Sequence, residues 1–138
     1  MGKIFKKIIK SIKFIWSHPL VKGEKLKALY RYVFFHLSTR INNVDRVVPF
    51  VADTKIIIKR DLNGTSTNYF TYLSDLEEMM FLLHFLRSDD EFIDIGSNVG
   101  VWAILASSVI GCHTIAIEPV PETYDILKSH ILMNKIGY

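Results

Sequence analysis

The sequence predicts an α/β fold: the first half of a parallel, nucleotide-type sheet, preceded by two helices and a small antiparallel β unit. Three observations predict it. Phe92-Ile93-Asp94-Ile95 is a short apolar run that leads into a glycine turn, Gly96-Ser97-Asn98-Val99-Gly100. An almost wholly apolar stretch of helical length follows, Val99–Ile110, closed by Gly111. A second short strand, Thr114–Ile117, then ends in the acid Glu118 and stops at Pro119. Strands covered on both faces read as continuous apolar runs, and strand, turn, buried helix, strand is the order of a parallel βαβ unit.

The chain has 138 residues, enough for one domain with a real core, and its 49% apolar content excludes a disordered chain. The net charge of +3 is unevenly spread. Residues 1–31 hold nine Lys/Arg against one acid, Glu24, whereas residues 32–138 hold eight against thirteen acids. The basic character therefore belongs to the N-terminal segment. Cys112 is the only cysteine, so no intrachain disulfide can form, which fits a reducing, cytoplasmic location. Lys6, Lys7, Lys10 and Lys13 interrupt every early apolar run and exclude a secretory signal. Ile95–Ile117 carries no formal charge, but Ser97, Asn98, Gly100, Ser107, Ser108, Gly111 and His113 punctuate it as turn, helix, turn and strand rather than as a membrane span.

Residues 3–16 form an amphipathic helix on a helical wheel. Ile4, Phe5, Ile8, Ile9, Ile12, Ile15 and Trp16 share one sector, Lys3, Lys6, Lys7, Lys10 and Lys13 the opposite one, and Phe14 alone falls on the wrong side. Ser17-His18-Pro19 ends it, because the residue before proline is pushed out of the α region. A second helix covers about 24–37, with Leu26, Leu29, Tyr30, Val33 and Leu37 at helical spacing. Three β segments are then expected: Val47–Val51, Lys55–Lys59 and Tyr69–Tyr72, with Asn63-Gly64 as the hairpin turn between the last two. Ser74-Asp75-Leu76-Glu77 reads as a capping box that opens a helix ending near Arg87, its apolar stripe made by Leu76, Met79, Met80 and Leu83. Pro121 opens a last helix, on which Tyr124, Leu127 and Ile131 face its neighbours.

In an open α/β sheet, ligands bind beyond the carboxyl ends of the strands. Asp94, the glycine turn and Glu118 all fall there, so the candidate cofactor-binding residues are Asp94, Gly96, Ser97, Asn98, Gly100 and Glu118. A dinucleotide fingerprint has glycines at its first, third and sixth positions, whereas this turn has them at the first and fifth. No Gly-Lys-Ser/Thr follows, which excludes a P-loop. A cofactor with a ribose and no phosphate, such as S-adenosyl-L-methionine, fits the spacing better: its amino-acid end along the turn, its ribose hydroxyls toward Glu118. The same spacing is met by an ordinary βαβ unit in which Glu118 is a solvated loop acid.

The run from Phe92 to Gly100, with Ile117-Glu118-Pro119 and the tail Leu127…Ile131-Leu132-Met133-Asn134, resembles the FkbM family of S-adenosylmethionine-dependent methyltransferases. That family favours an Asp-x-Gly-Ala-Asn-x-Gly turn, then Glu-Pro, then a helix ending in Leu-Asn; this chain has Ser97 where alanine is usual. The resemblance reaches back to about Arg46 and does not include residues 1–40. It implies the N-terminal half of a Rossmann-like class I methyltransferase sheet and O-methylation of a small molecule or sugar acceptor. The implied organisation is a basic helical segment at 1–40, a β unit with a capped lead-in helix at 41–90, and the start of the methyltransferase domain at 91–138. Family members continue with further strands that complete the sheet. The expectation for residues 1–138 alone is therefore an inactive part of such a domain, without tight cofactor binding and with one strand edge bare. No general base can be named.

Histidines at 18, 36, 84, 113 and 130 form no pair at metal-ligand spacing, so no metal site is expected, and His84 and His130 read as helix-surface residues. Cys112 lies in a turn without basic neighbours and is not expected to be a nucleophile. Tyr30-Arg31-Tyr32-Val33-Phe34-Phe35 reads as helix packing, not as a nucleic-acid surface. The competing function is a membrane-surface or partner-binding protein that keeps half an enzyme fold, with residues 3–16 as a peripheral membrane contact. The alternative for that helix is packing on the rest of the protein.

Overall fold

The computed structural model of the chain describes residues 2–41, 45–60 and 62–137. Helix α1 (Gly2–Ser17) runs through a short 3-10 turn (Pro19–Val21) into helix α2 (Lys25–Ile41). Strands β1 (Arg46–Pro49) and β2 (Lys55–Ile58) follow, then helices α3 (Asn63–Thr71) and α4 (Leu76–Phe85). Strand β3 (Glu91–Ile95), helix α5 (Val101–Ile104, continued as a π-helical segment over Leu105–Ile110), strand β4 (His113–Ile117) and helix α6 (Pro121–Met133) complete it. The side chains of Lys3 and Ile4, placed on the wheel from sequence, lie outside the described residues.

The βαβ unit forms as expected. β3 and β4 pair in parallel, with Glu91 opposite His113 and Ile95 opposite Ile117. Gly111 ends the intervening helix at φ +86, its N–H donating to the Ala106 carbonyl at 3.1 Å. That is the left-handed closure for which glycine carries no steric penalty. Cys112 is buried, and its thiol also donates to Ala106 O.

The antiparallel unit is smaller than expected and is turned elsewhere. β1 and β2 pair with Arg46 opposite Ile58 and Pro49 opposite Lys55. Their connection spans residues 50–54, where Phe50 N–H donates to Thr54 O at 2.9 Å and Ala52 takes φ +51. Asn63-Gly64 is not a hairpin turn and Tyr69–Tyr72 is not a strand: residues 63–71 are helix α3. Aromatic content suggested a strand, but tertiary contact decides. Phe70 packs edge-on against Tyr32 (5.3 Å between centroids) and Phe35 (5.5 Å) of α2. Asn68 folds back, its amide donating to Gly64 O at 2.6 Å and its carbonyl accepting from Ser74 N–H at 2.8 Å.

The Ser74 capping box is also absent. Asp75 stands at the N-cap position without a side-chain cap, and Ser74 Oγ donates to the Asp75 carboxylate. The helix ends at Phe85, two residues before Arg87, whose guanidinium caps the carbonyls of His84, Phe85 and Leu86 at 2.7, 2.9 and 3.0 Å. Arg31 joins three elements: it donates to Glu24 (3.1 Å), Tyr72 Oη (2.9 Å) and Phe70 O (3.1 Å). Tyr72 also donates to Glu24, and that hydrogen bond, ahead of the nearby cations, holds the Glu24 carboxyl below its usual range. One core runs through the fold, from Ile15 and Ala28 through Ile56 and Met79 to Ile104 and Leu105.

Candidate functional site

The six residues singled out from sequence gather at the carboxyl end of the β3–β4 pair. Gly96 takes φ +78 and Gly100 φ +79, and between them Asn98 takes φ +50. The turn is tied to β4 through its backbone. Gly96 N–H and Ser97 N–H both donate to Ile117 O, at 2.9 and 3.0 Å, and Gly100 N–H donates to Ser97 O at 2.7 Å. Asn98 N–H donates to Glu118 Oε2 at 2.8 Å, while Glu118 Oε1 accepts from Val120 N–H at 2.9 Å. Glu118 therefore bridges the glycine turn and the segment leaving β4. A carboxylate has about four acceptor sites, so each oxygen retains capacity for a further donor.

The two glycines do different work. A side chain at Gly96 would meet no atom within 4 Å, so this point of the turn opens onto free space. A Cβ at Gly100 would sit 2.2 Å from Leu127 Cδ1, so Gly100 lets α6 close against the start of α5. Ser97 is buried and its hydroxyl donates to Asp94 O at 2.6 Å; it joins the turn to β3 instead of facing outward. The alanine usual in the FkbM pattern could not make that bond.

Asp94 is half-buried on the face of β3 that carries Phe92 and meets the helix side. Its Oδ2 is enclosed and has no hydrogen-bond partner in the protein. Desolvation is the main influence on this carboxyl and raises its pKa, against smaller opposing hydrogen bonds from Ser97 and the Ala103 backbone. An enclosed carboxyl oxygen without a donor favours the neutral acid, the same direction as the desolvation.

His130 is fully buried, not on the helix surface that the sequence predicts: Nδ1 donates to Val99 O at 2.6 Å and Nε2 accepts from Ile57 N–H at 2.7 Å. These bonds require the neutral ring, and burial pushes its pKa down accordingly. Asn134 adds a second tie, accepting from Lys55 N–H at 2.7 Å and donating to Lys55 O at 2.9 Å. Leu127, His130 and Asn134 share one face of α6 and its exit, at helical spacing. That spacing was the available signal; the polarity of two members concealed it.

No known protein-family model matches this sequence, and no curated protein matches it. Two solved structures share its fold. One is the Pyrococcus horikoshii protein PH0793, a transferase by provisional assignment, at TM-score 0.53 and 14% identity over 78% of this chain and 45% of that one. The other is P. horikoshii TYW2 in complex with MeSAdo, at TM-score 0.54 and 14% identity over 86% of this chain and 47% of that one. This chain spans about half the length of the solved structures it matches. At this identity the likeness establishes the α/β fold.

Proposed function

We propose that the chain carries the cofactor-binding front of an S-adenosylmethionine-dependent methyltransferase of FkbM type, acting on a hydroxyl of a small molecule or sugar. The observation that carries the reading is the Glu118 carboxylate, held 2.8 Å from the Asn98 amide across the mouth of an open glycine turn. In addition, a protein provisionally assigned as a transferase and a protein bound to MeSAdo, an analogue of the cofactor, share the fold.

The residues fit such a cofactor and fit a phosphate poorly. The N–H groups of Gly96, Ser97, Asn98 and Gly100 are all bonded within the protein, which leaves no cradle of those amides for a pyrophosphate. Gly96 has room for a ligand to lie along the backbone. Asp94, two residues before Gly96 at the carboxyl end of β3, is the acid on the amino-acid side of the turn, and the spare acceptor sites of Glu118 suit paired ribose hydroxyls. The sulfonium, when bound, supplies an activated methyl group. What the chain contributes is alignment: two carboxylates and one turn fix both ends of an extended ligand.

The test is amide chemical-shift mapping of the chain with S-adenosylmethionine at millimolar concentration. Shifts centred on Gly96, Asn98 and the Glu118–Val120 segment are expected. Glu118→Ala should weaken binding by about 1.5–3 kcal/mol, the range for a hydrogen bond to a charged group. No shifts at those amides, or unchanged affinity in Glu118→Ala, would remove the ribose role.

A further inference from the structure

Helix α1 turns outward a surface that the rest of the fold does not use. Phe5, Ile9, Ile12 and Trp16 stand at i, i+4, i+7 and i+11 and form one row about 16 Å long. All four are exposed, from 37% at Ile9 and Ile12 to 65% at Phe5. Of the described apolar residues of α1, Ile15 alone is buried, so packing on α2 consumes little of the apolar sector. Lys6, Lys10 and Lys13 lie beside the row and are exposed too. Residues 1–41, which hold α1 and α2, carry one acid. It is Glu24, and its carboxylate is engaged by Arg31 at 3.1 Å, Lys27 at 3.2 Å and Tyr72. Lys25 sits over the Trp16 ring at 4.9 Å, adding a cation to the end of the row.

A solvated helix face carries no continuous apolar row, and a face made for a neutral partner has no reason to border it with uncompensated lysines. Apolar row and lysine row side by side match a surface that is itself layered, acyl chain beneath anionic headgroup. Among the described residues no helix is long and apolar enough to cross a membrane, so the match is to lying on one. We propose that α1 docks lengthwise on an anionic lipid surface, with Phe5, Ile9, Ile12 and Trp16 entering the acyl boundary and Lys6, Lys10 and Lys13 meeting headgroup phosphates. The proposal does not rest on the methyltransferase reading. It gives α1 a task that its packing in the fold does not explain.

The experiment is co-sedimentation of the full chain with vesicles of phosphatidylcholine, alone or with added phosphatidylserine, alongside tryptophan emission. The chain has two tryptophans, so Trp102→Phe leaves Trp16 as the reporter. Partition into the anionic vesicles is expected, with a blue shift of Trp16, little binding to the neutral ones, and weakening by salt. Lysines near an anionic surface contribute about fivefold each, so the triple variant Lys6→Gln, Lys10→Gln, Lys13→Gln should lose binding on the order of a hundredfold. Phe5→Ser should lower it as well, with the circular dichroism of each variant unchanged. The salt titration of the wild-type chain stands even if a variant fails to fold. No partition into anionic vesicles, or equal partition into both kinds, overturns the proposal. So does a Trp16 blue shift that follows protein concentration without lipid, which would assign the row to a second copy of the chain.

Discussion

The two small sheets make opposite use of isoleucine. In β2, Ile56 and Ile58 are buried at 0% and 2% exposure, covered by α3 and the surrounding core. In the β3–β4 pair, Ile93, Ile95, Ile115 and Ile117 are exposed by 56%, 80%, 46% and 48%. They share one face, since Ile93 is opposite Ile115 and Ile95 opposite Ile117. The other face, carrying Phe92, Asp94, Thr114 and Ala116, is half-buried on the helix side. Strand composition is therefore no guide to burial here. The parallel pair has the residues of a doubly covered sheet, and within the described fold only one face is covered. Of the six candidate ligand residues, Asp94 lies in this half-covered pair and the other five follow the carboxyl ends of its strands, while His130 ties Val99 of the turn to Ile57 of the hairpin.

Removing His130 would break that connection most severely. His130→Ala leaves the Val99 carbonyl and the Ile57 N–H without partners and opens a cavity between the sheets. A loss of about 3–5 kcal/mol is expected in urea denaturation, from two unsatisfied buried groups plus lost packing. Acid should reproduce part of it. A histidine whose folded pKa is lowered binds fewer protons folded than unfolded, so stability is complete above the unfolded pKa and declines as pH falls below about 6.5. His18 is depressed mainly by burial too, so the variant should keep a shallower slope rather than none. Denaturation midpoints between pH 7.5 and 5.5 check this, and an equal slope in His130→Ala would show that the ring does not carry the link.

The next contrast lies inside the turn. Gly100→Ala meets both a left-handed backbone and Leu127 at 2.2 Å, so a loss of about 2–4 kcal/mol is expected. Gly96→Ala has the same backbone angle and empty space, and should cost only the strain, about 1–2 kcal/mol. Leu127→Ala combined with Gly100→Ala should lose less than the two separate effects together, because the clash is shared. Equal losses in the two glycine variants would mean that α6 does not close on Gly100 in solution.

Much of the C-terminal half was legible from sequence because its signals are local. Apolar runs of strand and helix length, with Gly96, Gly100, Gly111 and Pro121 as punctuation, fall close to the observed boundaries. Residues 63–75 depart from the sequence expectation because their structure is set from outside, whereas the strand expected at Lys55–Lys59 forms as β2. Asn63–Thr71 has little helix propensity and is held helical by Phe70 against α2 and by Asn68 within its own loop. Periodicity also identifies which residues share a face without saying what covers it. Leu26, Tyr30, Val33 and Leu37 repeat at helical spacing on α2, and all four are exposed. In the site, sequence located the acids and the turn but not their support, because His130 and Asn134 act across more than thirty and seventy residues of chain respectively.

The smallest expected effect is the most informative about the open sheet face. Ile95→Thr paired with Ile117→Thr replaces two exposed side chains by β-branched residues of high strand propensity. Nothing in the described fold packs on that face, so urea stability should change by no more than about 0.5 kcal/mol. The benefit should appear in association instead. An apolar face on a two-stranded sheet with free edges invites pairing between chains, and light scattering should show less concentration-dependent mass in the double variant. Retained stability with reduced association would mean that the face is open in the isolated chain. A loss near 2 kcal/mol or more would mean that the isoleucines are covered in solution by another copy, and that the contrast between the two sheets belongs to the single chain alone.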